Sequence, residues 1–407
     1  MSEIINVAED AAQGMGSGLP ADNGKVNIKV IGIGGGGNNT IQYMIEEKVK
    51  NVEFIAVNTD LQALNQNLSE KRIQIGVNTT RGLGSGSKPE VGKAAAEESR
   101  EDLKQQIGPV DIAFITAGMG GGTGTGASPV VAQIVKKELG ALTVAIVTKP
   151  YSFEGPKQMQ KAIEGIKKLK EEVDALIVIP NDKLLKYLPK DITLIGAFAE
   201  CNKVLKQAVT GISDLIERAG YINLDFNDIR TVLTMSGTAV IGMGSGSGKT
   251  AVEDAIQDAI KNPLLEDVSN CSVKGVLVNI TVSKDFPLSM YGELGEKVDR
   301  FARNEDANTK YGVVIDENKK KDEVGVTVVL TGITGEPGAK SVQRDPEPMK
   351  EPESMFDTDD SGDGGFFSIK PSEEKNSEPE SAPSVKQSQF EDDFALPEFL
   401  RKRAKND

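Results

Sequence analysis

Gly118-Met119-Gly120-Gly121-Gly122-Thr123-Gly124-Thr125-Gly126 is the stretch of sequence that decides the fold. It follows an apolar run at 110–117 that predicts a buried parallel strand, and residues 127–137 after it predict a helix with Pro129 in its first turn. Glycines between a strand and a helix leave free backbone N–H groups at the helix N-terminus, where an anion is favoured, and Thr123 and Thr125 add hydroxyl donors. The stretch therefore predicts a phosphate-binding loop, with a flexible linker as the alternative.

A second glycine-rich stretch lies upstream: Gly34-Gly35-Gly36-Gly37-Asn38-Asn39. It follows a strand predicted at 26–33 and precedes a helix predicted from Thr40. Gly32, Gly34 and Gly37 satisfy G-x-G-x-x-G, and Asp60 ends the next predicted strand, where a dinucleotide fold has its ribose-binding acid. A nicotinamide-dependent oxidoreductase is therefore one interpretation. The presence of two loops favours a second interpretation, a site for a triphosphate, because two loops on neighbouring strands can enclose one triphosphate tail.

Length and composition limit the class of protein. The 407 residues suggest two domains, or two domains and a tail, and the 38% hydrophobic content supports a globular core. The chain has no apolar run long enough to span a membrane, so we expect no membrane insertion. Its acidic start lacks the apolar segment of a signal peptide, and two cysteines fit a reducing cytoplasm. The net charge of −14 argues against nucleic-acid binding.

Histidine is absent from the sequence. Its absence excludes Ser-His-Asp triads, histidine acid–base catalysis and histidine metal ligands, and two cysteines cannot complete a structural zinc site. The chemistry must therefore use carboxylates, lysine or arginine, hydroxyls, backbone dipoles or an oxygen-ligated metal such as Mg²⁺.

Strands and helices alternate along the first half of the chain, which predicts a Rossmann-like α/β fold with a parallel sheet covered by helices. The strands are predicted at 26–33, 53–58, 72–76, 110–117, 141–148 and 174–180. A long central helix is predicted at 197–218, because its apolar residues fall on one face, and shorter helices at 228–236 and 250–261. A smaller α/β domain follows, with strands at 274–282, 311–315 and 324–331 and a helix at 292–304.

We therefore divide the chain into six parts. These are a disordered N-terminal arm (1–24), a nucleotide-binding domain (25–196), the central helix with the loop after it (197–228), a C-terminal α/β domain (229–334), a disordered acidic linker (335–392) and a docking peptide (393–407). The linker is rich in Pro, Ser, Glu, Asp and Gly, which cannot pack a core. The docking peptide carries apolar residues and a basic end, as short recognition motifs do, although a frayed tail is the alternative.

Two further patterns resemble motifs that they do not complete. Residues 244–250 resemble a P-loop but have Met243 where the motif requires glycine, so we predict a turn before a helix that starts near Ala251. Residues 357–362 resemble the start of a calcium loop, but Ser368 stands where a bidentate glutamate is needed, which indicates a solvated acidic stretch.

An acidic segment, Asn223-Leu224-Asp225-Phe226-Asn227-Asp228, follows the long helix. Asp225 and Asp228 stand three residues apart at a loop-to-helix junction, so both can face the same way. Helix capping by Asp225 or Asn227 is the simpler explanation, but capping uses only one such residue. Without histidine, a carboxylate that polarises water is the best available route to phosphoanhydride hydrolysis.

Taken together, residues 26–333 and the terminal peptide resemble the FtsZ family, the bacterial relatives of tubulin that form the division ring. The resemblance rests on the two glycine stretches and on Ser152-Phe-Glu-Gly, Ile179-Pro-Asn-Asp, Gln207-Ala-Val-Thr-Gly-Ile-Ser-Asp-Leu-Ile, Asn223-Leu-Asp-Phe-Asn-Asp and Leu396-Pro-Glu-Phe-Leu-Arg-Lys. It implies a GTPase that binds GTP and GDP, with Mg²⁺, and polymerises head-to-tail into filaments in the cytoplasm at the division site.

The resemblance also implies which residues would bind the nucleotide. Glu154 would contact the ribose, Phe198 would stack near the guanine and Asn202 would read the edge of the base. The GTP phosphates would be held by Gly35, Gly36, Gly37, Asn38, Asn39, Gly122, Thr123 and Gly124.

For catalysis, the resemblance implies that Asn223, Asp225 and Asp228 form a loop that inserts into the next subunit's nucleotide site, so that hydrolysis occurs only in the polymer. Residues 393–407 would bind membrane-tethering and regulatory division proteins.

One position departs from the family pattern. Relatives usually carry Arg four residues beyond Glu154, whereas this chain has Gln158 among its nucleotide-binding candidates. A cationic contact with the nucleotide is then lost, unless Lys157 replaces it. The alternative interpretation is therefore a GTP-binding filament or scaffold that hydrolyses GTP weakly.

Overall fold

The computed structural model describes residues 25–189, 191–217, 224–235, 237–260, 262, 264–265, 271–287, 307–317 and 319–333. These residues all belong to one compact unit, Met1–Gln343. Several predicted features lie outside the described residues: the N-terminal arm, Asn223, the helix at 292–304, the linker at 335–392 and the docking peptide at 393–407.

The described chain forms ten strands that belong to a single sheet. Their bounds are β1 Ile28–Ile33, β2 Glu53–Asn58, β3 Lys71–Gln74, β4 Ile112–Gly118, β5 Leu142–Lys149, β6 Ala175–Pro180, β7 Thr238–Ser247, β8 Gly275–Val282, β9 Asn308–Ile315 and β10 Glu323–Thr331. The strand order is β3-β2-β1-β4-β5-β6-β7-β10-β8-β9. All pairs from β3 to β7 are parallel, β10 is antiparallel to both β7 and β8, and β9 is parallel to β8.

Helices connect and cover these strands. Their bounds are α1 Gly34–Glu46, α2 Leu61–Gln66, α3 Val77–Thr80, α4 Pro89–Glu98, α5 Arg100–Ile107, α6 Thr123–Gln133, α7 Pro156–Glu172, α8 Asn181–Leu185, α9 Leu194–Glu217, α10 Phe226–Thr234 and α11 Ala251–Ile260. Short π-helical and 3-10 segments lie at Ile134–Glu138, Ser152–Glu154 and Gly248–Thr250. The α/β architecture predicted from the alternating strands and helices is confirmed.

The central strands are mostly apolar and almost entirely buried because helices cover both faces of the sheet. All six residues of β1 and the first six of β4 are buried. One core cluster packs α9 and α10 against the sheet, and a second packs α4, α6 and α7 against its other face. Continuous burial is why the strand predictions at the start of the chain lie close to the observed bounds.

Two helix starts differ from the prediction. Helix α1 begins at Gly34 and not at Thr40, and α6 begins at Thr123, so Pro129 lies inside the helix and not in its first turn. The sequence favoured loops there because glycine is a poor helix former. Tertiary contacts override this preference, because several glycines of both segments, such as Gly34, Gly37 and Gly124, pack closely against neighbouring backbone.

The prediction of a turn at 244–250 is wrong for the first half of that stretch. Strand β7 runs through Ser247, and only Gly248–Thr250 forms the turn before α11. Helix α11 packs so closely on β7 that a Cβ on Gly244 would lie 2.1 Å from Ala255 O, and one on Gly246 would lie 2.0 Å from Ala251 O. The alternating glycines therefore serve helix–sheet packing.

The predicted smaller α/β part continues the same sheet. Strand β7 joins β6 through two residue pairs, Leu176 with Thr238 and Ile177 with Ala239. Strands β10, β8 and β9 then extend the sheet beyond β7. The six domain boundaries stay predictions.

Candidate functional site

The two glycine-rich segments meet at one edge of the sheet. Strands β1 and β4 are parallel neighbours, so their carboxyl ends lie side by side. A Cβ on Gly34 would lie 2.7 Å from Gly124 N, and one on Gly36 would lie 3.0 Å from Gly118 N. The structure therefore brings together the two segments that the sequence analysis paired, and it does so through direct backbone contact.

Not every glycine of these segments is available to a ligand. Gly37, Gly122 and Gly124 are buried, and a Cβ on any of them would lie within 2.7 Å of a neighbouring atom. By contrast, a Cβ on Gly35 or Gly121 would meet no atom within 4 Å. These two positions are where the backbone borders open space, and Gly121 is a candidate contact that sequence reasoning did not single out.

The hydroxyls of the second segment are engaged inside the protein. Thr123 Oγ1 lies 2.7 Å from Thr59 Oγ1 and 2.9 Å from Ser85 Oγ, and all three residues are buried. Thr125 Oγ1 accepts a hydrogen bond from Gly120 N at 2.8 Å. These threonines therefore hold the loop in place, and their role as hydroxyl donors to a ligand stays a prediction. Thr59 and Ser85 are supporting residues that gave no signal in the sequence.

Asn38 also supports the loop. It is 3% exposed, and in its hydrogen-bonded orientation the side-chain amide donates to Gly34 O at 2.7 Å and to Val57 O at 3.1 Å. Its backbone O accepts from Asn67 Nδ2 at 2.9 Å. Asn39, the next residue, is exposed. Of the two asparagines, only Asn39 is therefore exposed to solvent.

An aromatic cluster lies after β5. Tyr151 is fully buried, its ring stacks on Phe153 with 5.0 Å between centroids, and it meets Phe198 edge-on at 5.4 Å. Burial raises the pKa of the Tyr151 hydroxyl, so it stays protonated and donates to Ala197 O at 3.0 Å. Glu154 Oε1 accepts from Tyr151 N at 2.8 Å. The cluster thus joins Glu154 and the exposed ring of Phe198, two candidate nucleotide contacts.

The remaining candidates border the same edge of the sheet. Asn202 Oδ1 accepts from Thr40 Oγ1 at 3.0 Å, which ties the first half of α9 to α1. Gln158 lies beside the second loop, because a Cβ on Gly120 would lie 3.0 Å from Gln158 O. Gln158 is half-buried, whereas Lys157 is exposed. Position 158 is therefore close enough to influence a ligand on the loops.

The acidic segment has side chains that are not used for capping. Asp225 immediately precedes α10, yet its side chain makes no capping hydrogen bond, and the residue is exposed. Its backbone O accepts from Asp228 N at 2.9 Å. Asp228, in the first turn of α10, forms an ion pair with Lys310 on β9, with 3.0 Å between Nζ and Oδ1. Helix capping therefore does not account for Asp225.

The acidic segment and the glycine loops lie at opposite edges of the sheet. Asn202 places the first half of α9 beside α1, whereas Glu217, the last residue of α9, pairs with Lys25 before β1 at 3.5 Å. Arg230 of α10 donates to Gly140 O, just before β5 begins. Helix α9 has 24 residues. At 1.5 Å per residue it is about 36 Å long, and the part from Asn202 to Glu217 spans about 23 Å, which separates the acidic segment from the glycine loops.

Two features are not found among the described residues. Within these ranges no helix is long and apolar enough to cross a membrane. Nor do three or more aspartate, glutamate or cysteine side chains come together there as ligands for a metal ion.

Comparison with known proteins identifies the family. Residues 27–189 match the GTPase domain of the Tubulin/FtsZ family, and residues 237–334 match the FtsZ family C-terminal domain. The cell division protein FtsZ of Coxiella burnetii is 46% identical over 379 residues, which cover 92% of this chain and 96% of that protein. The chain belongs to the FtsZ family. This confirms the resemblance seen in the sequence, and the GTPase-domain match contradicts the nicotinamide-dependent interpretation.

Other members show the same likeness. The cell division protein FtsZ of Pseudomonas aeruginosa is 50% identical over 306 residues, which cover 75% of this chain and 77% of that protein. A solved structure of an empty FtsZ dimer from M. jannaschii has a TM-score of 0.71 and 39% identity, and the match covers 82% of this chain and 92% of that one. The fold of this chain is therefore the fold of the FtsZ family.

The contact between the two loops can be tested with a matched pair of glycines. Gly34 and Gly140 have similar backbone angles, φ +71° and +70°, but a Cβ would clash only at Gly34. We expect Gly140→Ala to lower the free energy of unfolding by roughly 1–2 kcal/mol through backbone strain alone. Gly34→Ala should cost about 2–4 kcal/mol, because the loops must separate, and should weaken GTP binding at least tenfold. Urea unfolding and calorimetric titration measure both, and equal effects of the two variants would contradict the interlocked loops.

Proposed function

We propose that this protein binds and hydrolyses GTP and assembles head-to-tail into filaments of the division ring, with each active site completed across the contact between subunits. The observation that carries the proposal is the separation of the glycine loops from Asp225 and Asp228 along α9. A site that needs both groups can form only when the acidic end of one subunit meets the glycine loops of another. A head-to-tail contact of this kind repeats, and so it produces a filament.

The glycine loops supply the phosphate end of the site. Gly35 and Gly121 present backbone beside open space, and α1 and α6 begin at these loops. Helix N-termini carry partial positive charge and free N–H groups, which favour phosphate oxygens. We assign the phosphate contacts to Gly35, Gly36, Gly37, Asn38, Asn39, Gly122, Thr123 and Gly124, with Gly121 added. Among these, Asn38 and Thr123 act mainly by holding the loops in position.

The base and ribose contacts come from the aromatic cluster and α9. Phe198 has 42% of its surface exposed and is held edge-on by Tyr151, so its ring can stack with guanine. Asn202 and Glu154 lie on the same edge of the sheet and provide hydrogen-bonding groups for the guanine edge and the ribose. Because a wrong base would leave such groups unpaired, this arrangement selects GTP over ATP.

Hydrolysis requires a group that orients and polarises water. Asp225 is exposed and free of a capping role, and Asp228 lies one turn further on. We assign these carboxylates, with Asn223, to the water that attacks the γ-phosphate of the neighbouring subunit's GTP. Hydrolysis would then depend on assembly. Mg²⁺ would reach the site bound mainly to nucleotide phosphates and water, which is its usual mode in nucleotide enzymes, and would neutralise phosphate charge.

The location and partners follow from the family. We propose that the filaments lie in the cytoplasm at the division site, where residues 393–407 bind membrane-tethering and regulatory division proteins. Phe394, Leu396, Phe399 and Leu400 would supply apolar anchors, and Arg401 begins the basic end. We propose that the protein neither binds nucleic acid nor inserts directly into the membrane.

Separation of binding from hydrolysis tests this function. We expect Asp225→Ala to leave the GTP affinity of the monomer unchanged and to reduce turnover about a hundredfold or more, because positioned acid–base groups contribute this much. Asp322→Ala, an exposed carboxylate on a turn, is the matched control and should behave like the parent. Calorimetry with GTP and phosphate release above the assembly threshold give the two values. A parallel loss of GTP affinity and turnover in Asp225→Ala would place Asp225 in its own subunit's site and sink the proposal.

The second candidate function is a GTP-binding filament that hydrolyses GTP weakly, and the observation that favours it is the neutral Gln158 beside Gly120. Charge-assisted hydrogen bonds are roughly twice as strong as neutral ones, so we expect Gln158→Arg to tighten GTP binding or raise turnover by up to about tenfold. The gain should shrink as salt is added, because a partly exposed charge is screened.

Lys157 provides the control for this prediction. If Lys157 already supplies the cation, Gln158→Arg changes little and Lys157→Ala carries the loss. GTP affinity and phosphate release for both variants at two salt concentrations distinguish these cases. If neither variant differs from the parent, position 158 does not act on the nucleotide, and weak hydrolysis has no basis in this residue.

A further inference from the structure

Lys310 forms an ion pair with Asp228, one of the two carboxylates assigned to hydrolysis. It lies on β9, the last strand of the sheet, and its Nζ is 3.0 Å from Asp228 Oδ1. The two side chains are 33% and 39% exposed, so both can be reached from outside the subunit. Ion pairs with this degree of exposure add little to stability. The pair therefore calls for an explanation other than folding.

The charge of the acidic end gives that explanation. Under the proposed function, Asp225 and Asp228 approach the triphosphate of a neighbouring subunit, and like charges repel more strongly as water is excluded from the contact. Lys310 reduces the negative charge of this surface at Asp228 itself. Complementary charge across a contact favours association and fixes its geometry.

On the nucleotide side of the proposed subunit contact, position 158 carries a neutral side chain where a cation would offset the phosphate charge. Gln158 borders the second glycine loop, and its amide carries no charge to offset the phosphates. A lysine side chain is long and flexible, and its ammonium group binds phosphate as a compact charge. A lysine that arrives from the neighbouring subunit can therefore supply the charge that position 158 does not.

We propose that Lys310 is a further residue of the composite site. When subunits associate, Lys310 and Asp228 both come to lie at the neighbouring subunit's GTP, and Lys310 donates a charge-assisted hydrogen bond to the phosphates. This inference rests on the proposed head-to-tail site. It assigns Lys310 two partners, Asp228 in the free subunit and the nucleotide phosphates in the filament.

Substitution of Lys310 in two backgrounds tests the proposal. In the parent background, Lys310→Met, which keeps the length but not the charge, should lower turnover about tenfold and raise the concentration needed for assembly, as loss of one charge-assisted hydrogen bond would. Lys310→Arg should keep most of the activity. GTP affinity of the monomer should be the same in all variants. Lys320→Met, at an exposed lysine on the turn before β10, should match the parent.

The second background is Gln158→Arg, which places a cation on the nucleotide's own subunit. We expect the loss caused by Lys310→Met to shrink at least threefold there, because both cations act on the same phosphates. A merely structural lysine would give the same loss in both backgrounds, and that result would overturn the proposal, as would equal turnover of Lys310→Met and the parent. Failure of the proposed function is recognised separately, because the parent itself would then show no GTP-dependent sedimentation.

Discussion

The structure depends on two backbone segments that meet with no room for a side chain between them. At the carboxyl ends of β1 and β4, Gly34 and Gly36 pack against Gly124 and Gly118. This contact sets the starting points of α1 and α6, and it aligns two helix N-termini on one small volume. Partial positive charge of the helix N-termini is concentrated there, so the site suits a polyanion. Thr123, bonded to two other buried hydroxyls, keeps the arrangement rigid.

Helix α9 then determines what the rest of the molecule can do with a bound nucleotide. Its first turns carry Phe198 and Asn202 to the glycine edge, and its last residue, Glu217, is fixed at the opposite edge by Lys25. A rigid helix of this length holds the acidic segment at a fixed distance from the subunit's own phosphates. Under the proposed function, catalysis by Asp225 requires a second molecule, so hydrolysis depends on assembly. Departure of the γ-phosphate would in turn change the contact that holds two subunits together.

Much of this could be predicted from the sequence, and the failures have physical causes. The strands were predictable because a parallel sheet buried on both faces leaves long apolar runs. The starts of α1 and α6 and the strand through Gly244 and Gly246 were not, because glycine signals a loop locally, whereas in this fold it permits close packing against another element. Supporting residues such as Ser85 and Lys310 were also missed. Each becomes relevant only through a partner, Thr123 or Asp228, that is distant in sequence.

The central claim is that one subunit supplies the nucleotide pocket and the next supplies the carboxylate, and mixing two inactive variants tests it most directly. Asp225→Ala keeps the pocket and lacks the carboxylate, whereas Asn202→Leu keeps the carboxylate and weakens the pocket. Phosphate release by an equal mixture should recover to about a quarter of the parent's rate, because that share of head-to-tail contacts joins an intact pocket to an intact acidic segment. A mixture that is no faster than the mean of the two variants measured alone would contradict the composite site.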